Sequence, residues 1–136
     1  AASSKSAGEE EGLAQADVSI AAVTWNGDTV TSCVFDAVQA KVNFDASGAI
    51  TTDVSQPVQS KNELGDAYGM KEYSGIGKEW YEQAAAFAAY AQGKTLDEIT
   101  GIAVNEKGAP ADADIASSVT ISVGGFTALL EKAAQA

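Results

Sequence analysis

Asp112-Ala113-Asp114-Ile115-Ala116-Ser117-Ser118-Val119-Thr120-Ile121-Ser122-Val123 runs directly into Gly124-Gly125-Phe126-Thr127-Ala128-Leu129-Leu130-Glu131-Lys132-Ala133. Val119, Val123, Phe126, Leu130 and Ala133 recur at spacings of four, three, four and three, one apolar stripe at the helical period. Asp114 stands where a helix start calls for a capping acceptor. The stretch therefore predicts a carboxy-terminal helix over 121–134, entered through a cluster of side-chain hydroxyls.

Working back along the chain, residues 78–92 give the clearest helix. Trp80, Ala84, Phe87 and Ala91 form one face, and Gly93 supplies a left-handed stop. Thr95-Leu96-Asp97-Glu98 has the form of a capping box and opens a short helix to Thr100. Residues 102–105 read as a short strand, and 105–113 as a loop around Pro110. Ser60-Lys61-Asn62-Glu63 is a second capping box, predicting a helix over 61–70 that Gly65 and Gly69 weaken. Tyr73-Ser74-Gly75-Ile76-Gly77 is a loop whose glycines permit unusual backbone angles or a close approach.

The amino-terminal half alternates in the manner of strands. Val18, Ile20 and Ala22 mark a first strand over 16–26, and Asn26-Gly27 suits a type I′ hairpin turn. A second strand over 29–38 puts Val30, Val34 and Val38 on one face, with Thr31, Cys33 and Phe35 on the other. Third and fourth strands are expected over 41–44 and 49–54, joined by the turn Asp45-Ala46-Ser47-Gly48. The fold class expected is α+β: an antiparallel β-meander with the two main helices, 78–92 and 121–134, packed on one face. Residues 1–13, ending in an acidic run, read as a flexible tether, and 14–136 as one domain.

Composition narrows the function classes. Eight lysines oppose nineteen acids, with neither arginine nor histidine, for a net charge of −11. Nucleic acid and anionic membranes are repelled by such a surface. Without histidine, neither a Ser-His-Asp nor a Cys-His nucleophile can be assembled. The single cysteine, Cys33, makes no internal disulfide, and its strand context suits a buried structural thiol. The chain starts at Ala1, not Met, which suggests a removed upstream segment. The expectation is an extracytoplasmic chain, secreted or held at the cell surface by an amino-terminal lipid anchor.

Asp114, Ser117, Thr120 and Ser122 carry a resemblance to a known family. Extracytoplasmic FMN-binding domains have Asp-x-x-(Ser/Thr)-Gly-Ala-(Ser/Thr) before a helix, often with a further Ser/Thr two residues on. Ser118 here occupies the family's Gly position and Val119 its Ala position. The hairpin at Asn26-Gly27-Asp28, the glycine loop Gly75-Ile76-Gly77 and Gly93-Lys94 are similar in outline. The chain also resembles a set of uncharacterised bacterial surface lipoprotein domains with runs like Asn62-Glu63-Leu64-Gly65 and Gly77-Lys78-Glu79-Trp80-Tyr81. The flavin resemblance implies FMN as cofactor, with Thr120 as the residue a separate transferase would join to the flavin phosphate. Ser117, Ser118 and Asp114 would surround it, and Tyr73, Gly75, Gly77 and Lys78 would form the opposite wall. Three outcomes stay open: a phosphoester at Thr120, noncovalent flavin in the same cleft, or a relative without flavin. The implied function is a non-enzymatic binding or electron-transfer domain with a small-molecule ligand or a redox partner protein. A ligand-free structural or interaction module of a surface lipoprotein is the alternative.

Plainer readings stand beside these. The hydroxyls of Ser117, Ser118, Thr120 and Ser122 also suit helix caps and turns. Asp112 and Asp114, near Asn105 and Glu106, offer oxygen ligands to calcium but lack EF-hand spacing, so they read as a solvated loop. Glu79 with Glu82, and Asp97 with Glu98, read as solubilising pairs on helix surfaces. Tyr68, Met70, Tyr73 and Ile76 are the best candidates for a ligand wall, with Lys71 and Lys78 as the local positive charge.

Overall fold

A computed structural model describes residues 3–136 of the chain. The architecture is α+β, with one two-stranded antiparallel sheet and five α-helices among the described residues. Strand β1 is Gly12–Asn26 and β2 is Thr29–Phe44. The helices are α1 (Lys61–Leu64), α2 (Trp80–Ala91), α3 (Leu96–Thr100), α4 (Ala113–Ala116) and α5 (Gly124–Ala134). The chain divides into two compact units. One contains the residues up to Val18 with Ala37–Ser60, the other Ser19–Asp36 with Lys61–Ala136.

The four-strand meander is not formed. No turn interrupts residues 37–40, because β2 continues through its Val, Gln, Ala and Lys residues to Phe44. The expected fourth strand reduces to a bridge between Phe44 and Ile50, and the expected strand at 102–105 to a bridge between Val104 and Pro110. The hairpin loop is Gly27-Asp28. Only Gly27 has positive φ, at 63°, so the turn is not type I′, which needs two such residues.

The face pattern of β2 also departs from simple alternation. Val30 is buried, and so are Cys33, Phe35 and Ala37, while Val34 is 61% exposed. Thr24 Oγ1 lies 2.7 Å from Thr31 Oγ1 and 3.0 Å from Ser32 Oγ. One residue of β1 thus faces two of β2, which is a β-bulge, and the extra residue reverses the parity of everything after it. Val34 goes to solvent and Cys33 and Phe35 to the core for that reason.

In the larger unit the core is a set of aromatic rings joining β2, α2 and α5. Phe126 of α5 lies 4.5 Å from Phe35, 5.5 Å from Phe87 and 5.8 Å from Trp80, centroid to centroid. The predicted stripe of α2 (Trp80, Ala84, Phe87, Ala91) is buried throughout, as are Val119, Val123, Phe126 and Leu130. Burying each large side chain is worth about 1.5–3 kcal/mol. Helix α5 begins at Gly124 rather than near Ile121, so Val119 joins the core from irregular chain before the helix. Gly93, at φ 81°, ends α2 as expected. Thr95 and Glu98 form the predicted capping box of α3. The helix expected over 61–70 is shorter: α1 stops at Leu64, and a 3-10 turn, Gly65–Tyr68, follows where the glycines lie.

In the smaller unit, Asn43 organises the loop after β2. Its N–H donates to Thr52 Oγ1 (2.7 Å), its side-chain amide to the Gly12 carbonyl (3.3 Å), and its carbonyl accepts from Thr51 N–H. The Asp45 carboxylate accepts from the Ser47 and Ala49 N–H groups, closing the predicted turn. Where the sequence reads as a tether, Lys5 and Leu13 exchange two backbone hydrogen bonds.

Candidate functional site

The core face of α2 carries one polar residue, Gln83, and it is wholly buried. Gln83 Oε1 accepts from Thr120 N–H (2.8 Å), Ile121 N–H (3.3 Å) and the Thr120 hydroxyl (3.2 Å). Gln83 Nε2 donates to Ser74 Oγ and to the Lys78 carbonyl, both at 3.2 Å, with Met70 Sδ 3.8 Å away. One side chain thereby brings together two segments that sequence reasoning placed around a cleft: the turn at Thr120 and the glycine loop.

A buried carboxylate completes the loop's support. Glu79, 1% exposed, occupies the N-cap of α2. Its Oε2 accepts from Met70 N–H and its Oε1 from Lys71 N–H, each at 2.9 Å. Glu82 returns its carboxylate to Glu79 N–H at 2.9 Å, and that bond holds the Glu82 carboxyl below its ordinary range, with help from Lys78. The expectation that Glu79 is a solubilising surface residue is corrected: it is a structural acceptor. Glu82 behaves more nearly as expected, making a part-exposed ion pair with Lys78 at 3.5 Å.

The remaining candidates resolve individually. Ser117 Oγ donates to the Asp114 carbonyl (2.7 Å), and Ser118 N–H to the Ile115 carbonyl, so both serve the end of α4. The cap of α4 is Asp112, whose carboxylate accepts from Asp114 N–H; Asp114 itself lies in the first turn. Asp112 and Asp114 border a cleft of about 480 Å³ with Tyr90 and Glu98, on a different set of residues from the Gln83 node. Among the described residues no group of three acidic or thiol ligands could hold a metal ion. Tyr73 is 88% exposed and packs no wall. Gly77, at φ 62°, donates to the Ser74 carbonyl, and a side chain at Gly75 would meet open space.

A flavin phosphate at Thr120 would need the very amides that Gln83 now satisfies. Val119, in the family's Ala position, is fully buried. As folded, these residues do not fit that group at that turn.

Sequence reasoning missed Gln83, yet a signal existed. It sits three residues after Trp80 and four before Phe87, on the face assigned to the core, where a polar residue must find partners. A second feature also went unread: a groove of about 400 Å³ between β2 and α2, bordered by Cys33, Val34, Tyr81, Ala85, Ala88 and Ala89. Tyr81 donates to the Asp66 carboxylate at 3.2 Å, and that hydrogen bond raises the Tyr81 pKa above its ordinary value.

Comparison with known proteins gives a partial likeness. No family model matches the chain, and no solved structure matches it. Over 41 residues it is 49% identical to chlorophenol reductase of Desulfitobacterium hafniense, a stretch that spans 30% of this chain and 12% of that protein.

Proposed function

We propose that this chain is a non-catalytic, extracytoplasmic binding module of the surface-lipoprotein type, related in scaffold to FMN-binding domains but without flavin at the Asp114–Ser122 motif. The observation that carries the reading is the 2.8 Å bond from Thr120 N–H to Gln83 Oε1. In it the Gln83 side chain takes up a backbone donor that a phosphate at this turn would need. The absence of histidine and arginine, with a net charge of −11, further supports a role in binding over hydrolysis or nucleic-acid recognition.

A second reading is a flavin-carrying electron-transfer domain acting with a redox partner protein. The specific observation in its favour is the 41-residue likeness to a protein named as a reductase. Intact mass and visible absorption of protein made in its native host separate the two. The module reading expects a colourless chain of unmodified mass, with no thermal stabilisation by added FMN. Saturation at about 100 times Kd would add about 2.7 kcal/mol if FMN bound. A yellow chain heavier by one flavin phosphate, losing it in Thr120→Ala, overturns the module reading.

A further inference from the structure

Between Val30 and Phe35 the second edge of β2 is held only at the two ends of that segment. Val30 exchanges two backbone bonds with the turn after α2, its N–H to the Lys94 carbonyl (2.9 Å) and its carbonyl from Gly93 N–H (2.8 Å). Five residues on, the Phe35 carbonyl accepts from Asn62 Nδ2 at 2.9 Å. Both contacts lie on the side away from β1. In a regular strand, Val30 and Phe35 would present their backbone groups to opposite edges. They share an edge because the bulge at Thr31-Ser32 shifts the alternation by one. The same count turns the N–H and carbonyl of Cys33, and the N–H of Phe35, toward that edge. None of the three has a partner there among the described residues.

Those groups open onto the groove beside α2. Its far wall is a line of small side chains, Ala85, Ala88 and Ala89, on the helix face that the core does not use. Exposed strand edges are ordinarily blunted by lysine, proline or a covering segment, since they template pairing with another chain. Residues 31–35 carry neither lysine nor proline. The helical wall from Tyr81 to Gln92 is about 16 Å long at about 1.5 Å per residue, room for four or five residues of extended chain at about 3.3 Å each.

Charge selects the occupant. The trough is lined by uncharged residues, but Asp36 follows Phe35 in β2, and Asp66 is bonded to Tyr81 at the helix end. Lys61, beside Asn62, has its ammonium over the Tyr68 and Trp80 rings, 4.7 and 4.9 Å from their centroids. A second copy would bring another −11 to the same edge. Like charges in contact oppose that pairing, and a cationic segment is favoured.

We infer that this edge and groove take an extended, basic segment of a partner polypeptide, which adds to β2 as a further strand with its small alternate side chains against the alanine wall. The inference rests on the reading of the chain as a binding module and names its partner class.

The test uses the full chain, labelled with nitrogen-15, and two sets of ten-residue probes. Both sets share a randomised Ala/Val/Thr/Ser core; one is flanked by lysines and the other by glutamates. The lysine set is expected to shift the amide signals of residues 32–35 and 85–92 and to slow amide exchange at Cys33 and Phe35. It should bind at least about tenfold more tightly than the glutamate set. Ala89→Trp and Ala85→Trp, both at exposed positions, should fill the trough and weaken binding by about tenfold or more. Equal binding of both sets, shifts spread over the acidic surface, indifference to both tryptophan variants, or no binding at millimolar probe overturns the proposal. So does self-association through this edge in sedimentation. Flavin detected by mass would sink the module reading without touching these signals, so the two fail separately.

Discussion

Gln83 Oε1 and the backbone N–H of Thr120 are 2.8 Å apart, across 37 positions of sequence. The same oxygen also receives Ile121 N–H, and the other end of the amide reaches Ser74 and the Lys78 carbonyl. Gln83→Ala is expected to destabilise the chain by about 2–4 kcal/mol, through the cavity and the orphaned donors together. Urea titration of both proteins reads the difference as a lowered midpoint at unchanged slope. A loss below about 1 kcal/mol would mean that water replaces the amide readily, and the node would not hold the two segments together.

Glu79 gives a prediction about local order. Its two oxygens each accept one N–H from the loop, Met70 and Lys71, both at 2.9 Å. Glu79→Gln presents an NH₂ to one of those donors and cannot satisfy both. A cost of about 1–3 kcal/mol is expected, with faster amide exchange at Met70 and Lys71 and little change at α5. Uniform acceleration everywhere would instead indicate a global effect.

Acid stability follows from Glu98. Its carboxylate accepts from Thr95 N–H at 2.8 Å, the main reason its pKa lies below the ordinary 4.5, with the Thr95 hydroxyl second. The sign is that of a depressed carboxyl. The stabilisation is complete above the unfolded-state value and is lost as pH falls from there through the folded-state value. Glu82, anchored on Glu79 N–H, behaves alike. Stability should therefore fall as pH drops below about 4.5, and Glu98→Gln should shrink the part of that fall due to α3. A Glu98→Gln profile parallel to that of the native chain down to acid pH would remove this account.

Cys33 is buried, and desolvation raises its thiol pKa; its Sγ lies 3.8 Å from the Ala88 carbonyl. The thiolate is the reactive form. Native protein at neutral pH should react with a disulfide reagent at least about tenfold more slowly than the urea-unfolded chain. Equal rates would place the thiol at the surface.

What the sequence revealed, and what it hid, divides along a physical line. Helices α2 and α3 announced themselves through local chemistry: the four-residue stripe of α2, the stop at Gly93, the Thr95–Glu98 box. Each depends on residues within a turn or two. The sheet depended on a bulge at Thr31-Ser32 that no local pattern marks, and that one extra residue moved Val34 outward and Cys33 inward. The β2 strand ran on past residue 40 because nothing in Val38-Gln39-Ala40-Lys41 forces a turn. At the site, the Ser117 hydroxyl bonds back to the Asp114 carbonyl, as hydroxyls near helix ends commonly do, while Ser118 contributes its backbone N–H. The partners of Glu79 were illegible because they are backbone N–H groups, which carry no sequence signature, and those of Gln83 because they lie on two segments, one of them 37 positions away.

The reach of Gln83 has a temporal side. During synthesis α2 emerges well before residue 120, so for that interval its amide oxygen has no donor from the later segment, although Ser74 and Lys78 are already present. The loop can therefore settle on the helix early, whereas the aromatic cluster must wait for Phe126. A ribosome-bound chain stalled before Thr120 should therefore protect the loop on α2 while Phe35 and its strand stay protease-sensitive, and closure of the cluster should come as a single late step when the final helix is released.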